Sequence, residues 1–178
     1  NHKEGPCLVL AGAGSGKTRV LTERIIKLID DGVRPYNILA ITFTNKAAKE
    51  MRNRVELKLG DVANDIFIGT FHSLGYKIIR ENFEAAGYTK NINIFDTDDT
   101  KSLIKRIFKT NGYQAEDYDM KHILSRISMA KNEGLSPEEY SKLFFTDLDK
   151  LIVDIYREYL DMLRTNNSVD FDDLLIKP

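Results

Sequence analysis

The chain has 178 residues, 42% hydrophobic and 30% charged, enough for one sizeable core or two small ones. Its net charge of −1 excludes a uniformly basic nucleic-acid binder, although residues 1–90 carry 14 Lys+Arg against 10 Asp+Glu and residues 91–178 carry 12 against 17, an asymmetry that hints at a division of roles. One cysteine, Cys7, excludes an internal disulfide and fits a cytoplasmic protein, no apolar stretch nears the roughly 20 residues of a membrane helix, and the polar Asn1–Gly5 is unlike a secretory leader.

Cys7–Gly12 is a short apolar run ending in glycine and reads as a buried strand. Thr18–Ile29 follows as a helix, with Val20, Leu21, Ile25, Leu28 and Ile29 at helical spacing and Asp31-Gly32 as its end. Ile38–Phe43 is a second strand without polar alternation, as in a parallel sheet covered on both faces. Thr44 is placed to cap the next helix, whose inward side is Ala47, Ala48, Met51 and Val55 and which Gly60 stops. Ile66–Thr70 reads as a third strand and Leu74–Asn82 as a third helix, with Ile78 and Ile79 inward. This alternation predicts an α/β fold with a parallel sheet.

The pattern changes near Tyr88. Helices are predicted over Thr97–Lys109, Asp119–Asn132 and about Asp147–Arg164, the last with a stripe of Leu148, Leu151, Ile152, Ile155, Tyr159 and Leu163. Ser136-Pro137-Glu138-Glu139 carries a serine cap, a proline at the first helical position and a capping-box glutamate. Residues 89–165 therefore read as all-helical.

The sharpest motif is Ala11-Gly12-Ala13-Gly14-Ser15-Gly16-Lys17-Thr18. It matches the phosphate-loop pattern except that Ala11 replaces the first glycine. Glycines at 12, 14 and 16 let backbone N–H groups turn toward phosphate oxygens. The following helix adds its positive end. Lys17 supplies charge to the outer phosphates, and Thr18 a hydroxyl to Mg²⁺. Together they predict binding of a nucleoside triphosphate. The loop does not name the chemistry, since kinases, GTPases, transporters and helicases share it. A GTPase would need a base-reading Asn-Lys-x-Asp, and Asn45-Lys46-Ala47-Ala48 lacks the aspartate. A small-molecule kinase stays open on the loop alone.

Three further segments narrow the choice: Ile41–Met51 (I-T-F-T-N-K-A-A-K-E-M), Gly69–Leu74 (G-T-F-H-S-L) and Val169–Leu175 (V-D-F-D-D-L-L). With the loop, they resemble the ordered early motifs of the UvrD/Rep/PcrA group of superfamily 1 DNA helicases, along the whole chain. The Ala11 departure is itself usual in that group.

The resemblance implies a partial RecA-like P-loop motor domain over residues 1–88, with helices on both faces of its sheet. It also implies an inserted all-helical accessory domain over 89–165 and a return segment over 166–178. The full-length protein would be a 3′→5′ ATP-dependent DNA helicase serving repair, replication or recombination, with ATP and Mg²⁺ as cofactors and single-stranded DNA and a duplex junction as partners. Arg19 would lie on the adenine face, where a guanidinium stacks well. Phe43 and Phe171 would stack on bases, and Thr44, Asn45, Thr70, His72 and Ser73 would contact the DNA backbone. From the residues alone, Phe43 is equally a core side chain and Thr44 a helix cap. Asp170, Asp172 and Asp173 read as structural carboxylates, and no zinc site is expected at His72, because His2 and His122 lie in other segments.

In the resembling group an adenine-reading glutamine motif precedes the first strand, and an Asp-Glu motif and a second motor domain with an arginine finger follow. None falls in this sequence, so the expectation is a fragment with negligible ATP hydrolysis and no unwinding. Its incomplete sheet would leave an edge open to self-association. A helicase–nuclease subunit and a non-catalytic P-loop adaptor are the alternatives.

Overall fold

A computed structural model describes residues 5–12 and 14–178. The chain divides into two compact units, Asn1–Thr70 and Phe71–Pro178.

In the first unit, helix α1 (Lys17–Asp30) ends on Gly32, whose φ of 89° lets its N–H reach Ile29 O and that of Val33 reach Leu28 O. Strand β1 (Leu39–Thr42) leads through helix α2 (Asn45–Leu59) and a 3₁₀ stretch (Gly60–Asp65) to strand β2 (Phe67–Thr70). The two strands pair in parallel, Leu39 with Phe67 through Thr42 with Thr70. Parallel neighbours need a crossover, which α2 supplies. The core gathers Ile25, Ile38, Met51, Val55, Ala63, Ile66 and Ile68. Arg52 Nη2 donates to Ile68 O at 3.0 Å and pins α2 to β2.

Two sequence expectations fail here. Cys7–Gly12 is neither strand nor buried: it is irregular, and Leu8 and Leu10 are 85% and 87% exposed. An apolar strand is stable only with ladder partners and covered faces, and among the described residues the sheet of this unit holds only β1 and β2. Val20 and Leu21 are also exposed, because the inward face of α1 runs through Thr22 and Ile25.

The second unit opens with α3 (Phe71–Glu81), whose inward residue is Ile79 while Ile78 is exposed. Strand β3 (Asn93–Phe95) follows, then helices α4 (Thr97–Asn111), α5 (Met120–Asn132), α6 (Pro137–Leu143) and α7 (Asp147–Thr165), strand β4 (Ser168–Asp170) and the short helix α8 (Asp173–Ile176). Strand β3 lies inside the stretch expected to be wholly helical. It pairs in parallel with β4, Asn93 with Ser168 through Phe95 with Asp170. Three residues are too short to show a period of two, so only a distant partner makes them a strand. Asn167 sets that pairing from a left-handed conformation (φ 50°), accepting the Thr89 N–H at 2.7 Å and donating to Asn91 O at 2.6 Å.

Three reciprocal capping boxes start helices in this unit: Asp96 with Asp99, Ser136 with Glu139, and Thr146 with Asp149. The main core packs Ile104, Ile107, Phe108, Ile123, Ile127, Tyr140 and Ile152 among α4–α7. A smaller core joins Ile79, Ile92, Val169 and Leu174. At Gly75, a Cβ would stand 1.7 Å from the carbonyl oxygen of Leu174, so only glycine admits α8 this close to α3. Among the described residues, no helix is long and apolar enough to cross a membrane.

Candidate nucleotide and nucleic-acid sites

In the first unit, Gly12 and Gly14-Ser15-Gly16 run into the N-terminus of α1; Ala13 lies outside the described residues. Gly14 and Gly16 have φ of 74° and 84°, where L side chains are strained, while Cβ atoms at both would meet no close neighbour. Backbone conformation, not crowding, demands glycine there. Gly16 is the N-cap of α1 and supplies no side chain, and the first turn holds no acid. The first N–H groups of α1 thus keep their positive potential toward the loop.

Lys17 Nζ donates to Gly12 O at 2.7 Å and Ala11 O at 3.1 Å, so its ammonium is folded across the loop. Ser15 Oγ closes the turn on Gly12 O at 2.6 Å. Thr18 is half-buried in the first helical turn. Beside the loop is an open hollow of about 440 Å³, bordered by Gly14, Ser15, Gly16, Arg19, Val20 and Glu23. Left-handed glycines, a helix end, one cation and one hydroxyl together are a donor set that suits phosphate. A magnesium ion would take the Thr18 hydroxyl as a protein ligand and complete its shell with phosphate oxygens and water. Among the described residues, no cluster of three His, Cys, Asp or Glu could hold a metal ion.

Phe43 follows β1 at its carboxyl end and is 89% exposed. Thr44 is the N-cap of α2, its Oγ1 accepting the Ala47 N–H at 3.2 Å, and Asn45 opens that helix on the surface. Thr70 ends β2 and is buried.

In the second unit, His72 and Ser73 are exposed in the first turn of α3. The structure brings His72 to Phe171: their rings meet edge to face, centroids 5.7 Å apart. Phe171 is half-exposed on the turn between β4 and α8, and the carboxylates around it are engaged. Lys131 Nζ, almost wholly buried, sits 2.5 Å from Asp170 Oδ2 and 2.9 Å from Asp173 Oδ1. The Asp173 contact is an ion pair without hydrogen-bond geometry, so that buried oxygen accepts no hydrogen bond. Tyr159 donates to Asp170 Oδ2 at 2.5 Å, and Asn132 Nδ2 donates to Asp172 Oδ1 at 3.0 Å. Burial pushes the Asp170 carboxyl up, but the Lys131 charge, its hydrogen bond and the Tyr159 hydroxyl outweigh it and hold the group below the ordinary carboxylate value. Burial, reinforced by the Asp173 and Asp170 charges, pushes Tyr156 up to about 12.

Sequence reasoning missed Lys131. The available signal was its place in the stripe Ile123, Ile127, Lys131: a cation at the next inward position of a helix needs a buried anion. Asn167 and Gly75 gave no signal of comparable strength.

The domain model for the UvrD/REP helicase N-terminal domain matches residues 1–178. The chain is 49% identical over 174 residues to the ATP-dependent DNA helicase PcrA of Bacillus subtilis (strain 168), covering 97% of this chain and 24% of that protein. It is 47% identical over 175 residues to the PcrA of Leuconostoc citreum, covering 97% and 23%. It is 44% identical over 174 residues to the PcrA of Staphylococcus epidermidis (strain ATCC 12228 / FDA PCI 1200), covering 97% and 24%. The chain thus spans about a quarter of the length of these relatives. On a match along its full length, the chain belongs to the UvrD/REP helicase N-terminal domain family.

Proposed function

We propose that this chain is the nucleotide- and DNA-gripping part of an ATP-dependent helicase that moves 3′→5′ on single-stranded DNA, in repair, replication or recombination. The observation that carries the reading is the loop itself: left-handed Gly14 and Gly16 run into a helix end without a side-chain cap, and Lys17 spans the loop. Lys17 would leave the carbonyls of Ala11 and Gly12 for the β- and γ-phosphates, and Thr18 would hold the Mg²⁺ that travels with them. Arg19, beside the hollow, would lie against the adenine. By this reading residues 1–88 are motor domain, 89–165 an inserted helical domain engaging the duplex junction, and 166–178 the return to the motor.

The DNA track would pass the exposed Phe43 at the end of β1, with Thr44 and Asn45 at the start of α2, and Phe171 with His72 and Ser73 in the second unit. Thr70, buried at the end of β2, would add a contact to the DNA phosphate or sugar. Base stacking on an aromatic tolerates any sequence, as a translocating motor requires. The 178 residues alone would bind ATP with little turnover, because phosphoryl transfer also needs a positioned water and a charge-stabilising arginine, which the family resemblance does not assign to them. The edges of β1 and β2 would let isolated copies associate.

The test is Phe43→Ala in the full-length protein. Loss of one stacked base, roughly 1–3 kcal/mol, should raise the DNA concentration for half-maximal ATPase about fivefold or more and leave ATP-analogue affinity unchanged. An unchanged DNA requirement would remove Phe43 from the track.

A further inference from the structure

The turn from β4 to α8 is held at each of its three carboxylates by the end of α5, with Tyr159 and Lys177 adding to it. Asp170 points to Lys131 and Tyr159, Asp172 to Asn132, and Asp173 to Lys131 again. The turn also ties itself, since the Asp173 N–H donates to Asp170 Oδ1 at 2.8 Å. Phe171 is the one residue of the four that presents a ring instead of a carboxylate. That ring borders a hollow of about 210 Å³, with Thr97, Leu124 and Ser128 on other walls. A side chain beside such a space is not fixed by close packing, because atoms facing a void lack contacts on that side. The edge of His72 is one constraint. The backbone beneath the ring is another, and it is set by polar bonds.

Two carboxylates buried to within a few per cent are an expensive way to stabilise a turn. Apolar residues of similar volume often serve as well or better, so what a buried ionic cluster adds is one defined geometry. The cations here are Lys131 and, 3.2 Å from Asp173 Oδ2, Lys177. Lys131 and Asn132 are also consecutive at the end of α5, so a single helix end holds both flanks of Phe171.

We propose that Lys131 and Asn132 are positioning residues for Phe171: they hold the 170–173 turn so that the ring stands where a base of single-stranded DNA stacks. The inference rests on the reading of Phe171 as a base-contacting ring. It assigns the end of α5, a helix with no part in that reading, to the control of DNA affinity. Lys131 and Asn132 touch neither base nor phosphate and act through Phe171 alone.

The experiment is a double-mutant cycle in the full-length protein. Affinity for a fluorescein-labelled oligo-dT is measured for Phe171→Ala, Lys131→Met, Asn132→Ala and each pair with Phe171→Ala. Phe171→Ala should weaken binding about 5- to 150-fold, the span of one stacked base. Lys131→Met should weaken it about threefold or more, and neither α5 substitution should add to Phe171→Ala. ATPase at saturating DNA should keep its maximal rate while the half-saturating DNA concentration rises, a split that a general loss of structure would not give. If Lys131→Met fails to fold, Asn132→Ala, at an exposed position, carries the same cycle. An α5 effect that adds fully to Phe171→Ala overturns the proposal, as does normal affinity in a folded α5 variant while Phe171→Ala binds poorly; both leave the DNA reading of Phe171 standing. Normal affinity in Phe171→Ala removes that reading and the proposal with it.

Discussion

Gly75→Ala separates two physical accounts by the sign of its effect. Gly75 is in the interior of α3, and replacing an interior helical glycine by alanine ordinarily stabilises by about 0.5–1 kcal/mol. Here the new Cβ would stand 1.7 Å from Leu174 O, with Leu174 C at 2.8 Å. A relaxed carbon–oxygen contact needs about 3.3 Å, so α3 and α8 must part by about 1.6 Å. Neither colliding atom is the flexible end of a side chain. The movement would open the small core where Ile79, Val169 and Leu174 are almost wholly buried. Overpacking costs typically 1–3 kcal/mol, and exposing part of that core adds to it. Less the helix-propensity gain, the expected net loss is about 1–3 kcal/mol. At about 2–4 °C per kcal/mol for a chain of this size, the midpoint should fall by about 2–12 °C. Thermal unfolding followed by circular dichroism, with urea titration beside it, measures the change. A variant as stable as the parent, or more so, would refute the close approach of α8.

Other expectations concern charge and caps. Lys131→Met should cost about 3–5 kcal/mol at pH 7, because it leaves buried carboxylates without their cation. Asp170 is held below its ordinary value in the folded parent, so its contribution is fully present above the unfolded value of about 4 and is lost as pH falls through the folded value. Without Lys131, burial leaves Asp170 above its ordinary value, so in denaturant titrations from pH 7 to 3 the gap between parent and variant should start to close above about pH 4 and go on closing below it; a constant gap would mean that Asp170 is not what Lys131 stabilises. Ser136→Ala should cost about 1 kcal/mol, since it removes the oxygen that accepts the Glu139 N–H at 3.1 Å and breaks a reciprocal box. A midpoint unmoved in urea would show that α6 does not depend on its cap.

Local signals predicted local structure well. Thr44 and Ser136 each cap the helix expected after them, and Gly60 ends a helix where a stop is expected; Asp119, expected as the first residue of its helix, is instead its cap. Caps and stops act within a few residues, so a linear reading captures them. Cys7–Gly12 shows the opposite case. Its apolar composition gives it strand character, but a strand exists only through partners, which composition does not reveal. Strand β3 was invisible for the same reason: its ladder partner is 75 residues away in sequence, Asn93 beside Ser168. Of the candidate sites, the loop could be read because Gly14 and Gly16 answer to φ alone, without reference to distant residues. The exposure of Phe43 and the meeting of His72 with Phe171 depend on tertiary structure, and so does the pairing of Lys131 with an acidic turn 39 residues on.

By the proposed function, the glycine loop holds an ATP whose turnover moves DNA in the full-length protein. Strand displacement by the full-length protein on a 3′-tailed duplex, with ATP and Mg²⁺ and with Lys17→Ala alongside, tests it most directly. The parent should unwind the duplex, Lys17→Ala should not, and both should bind single-stranded DNA with the same affinity. Unwinding that survives the substitution would contradict it.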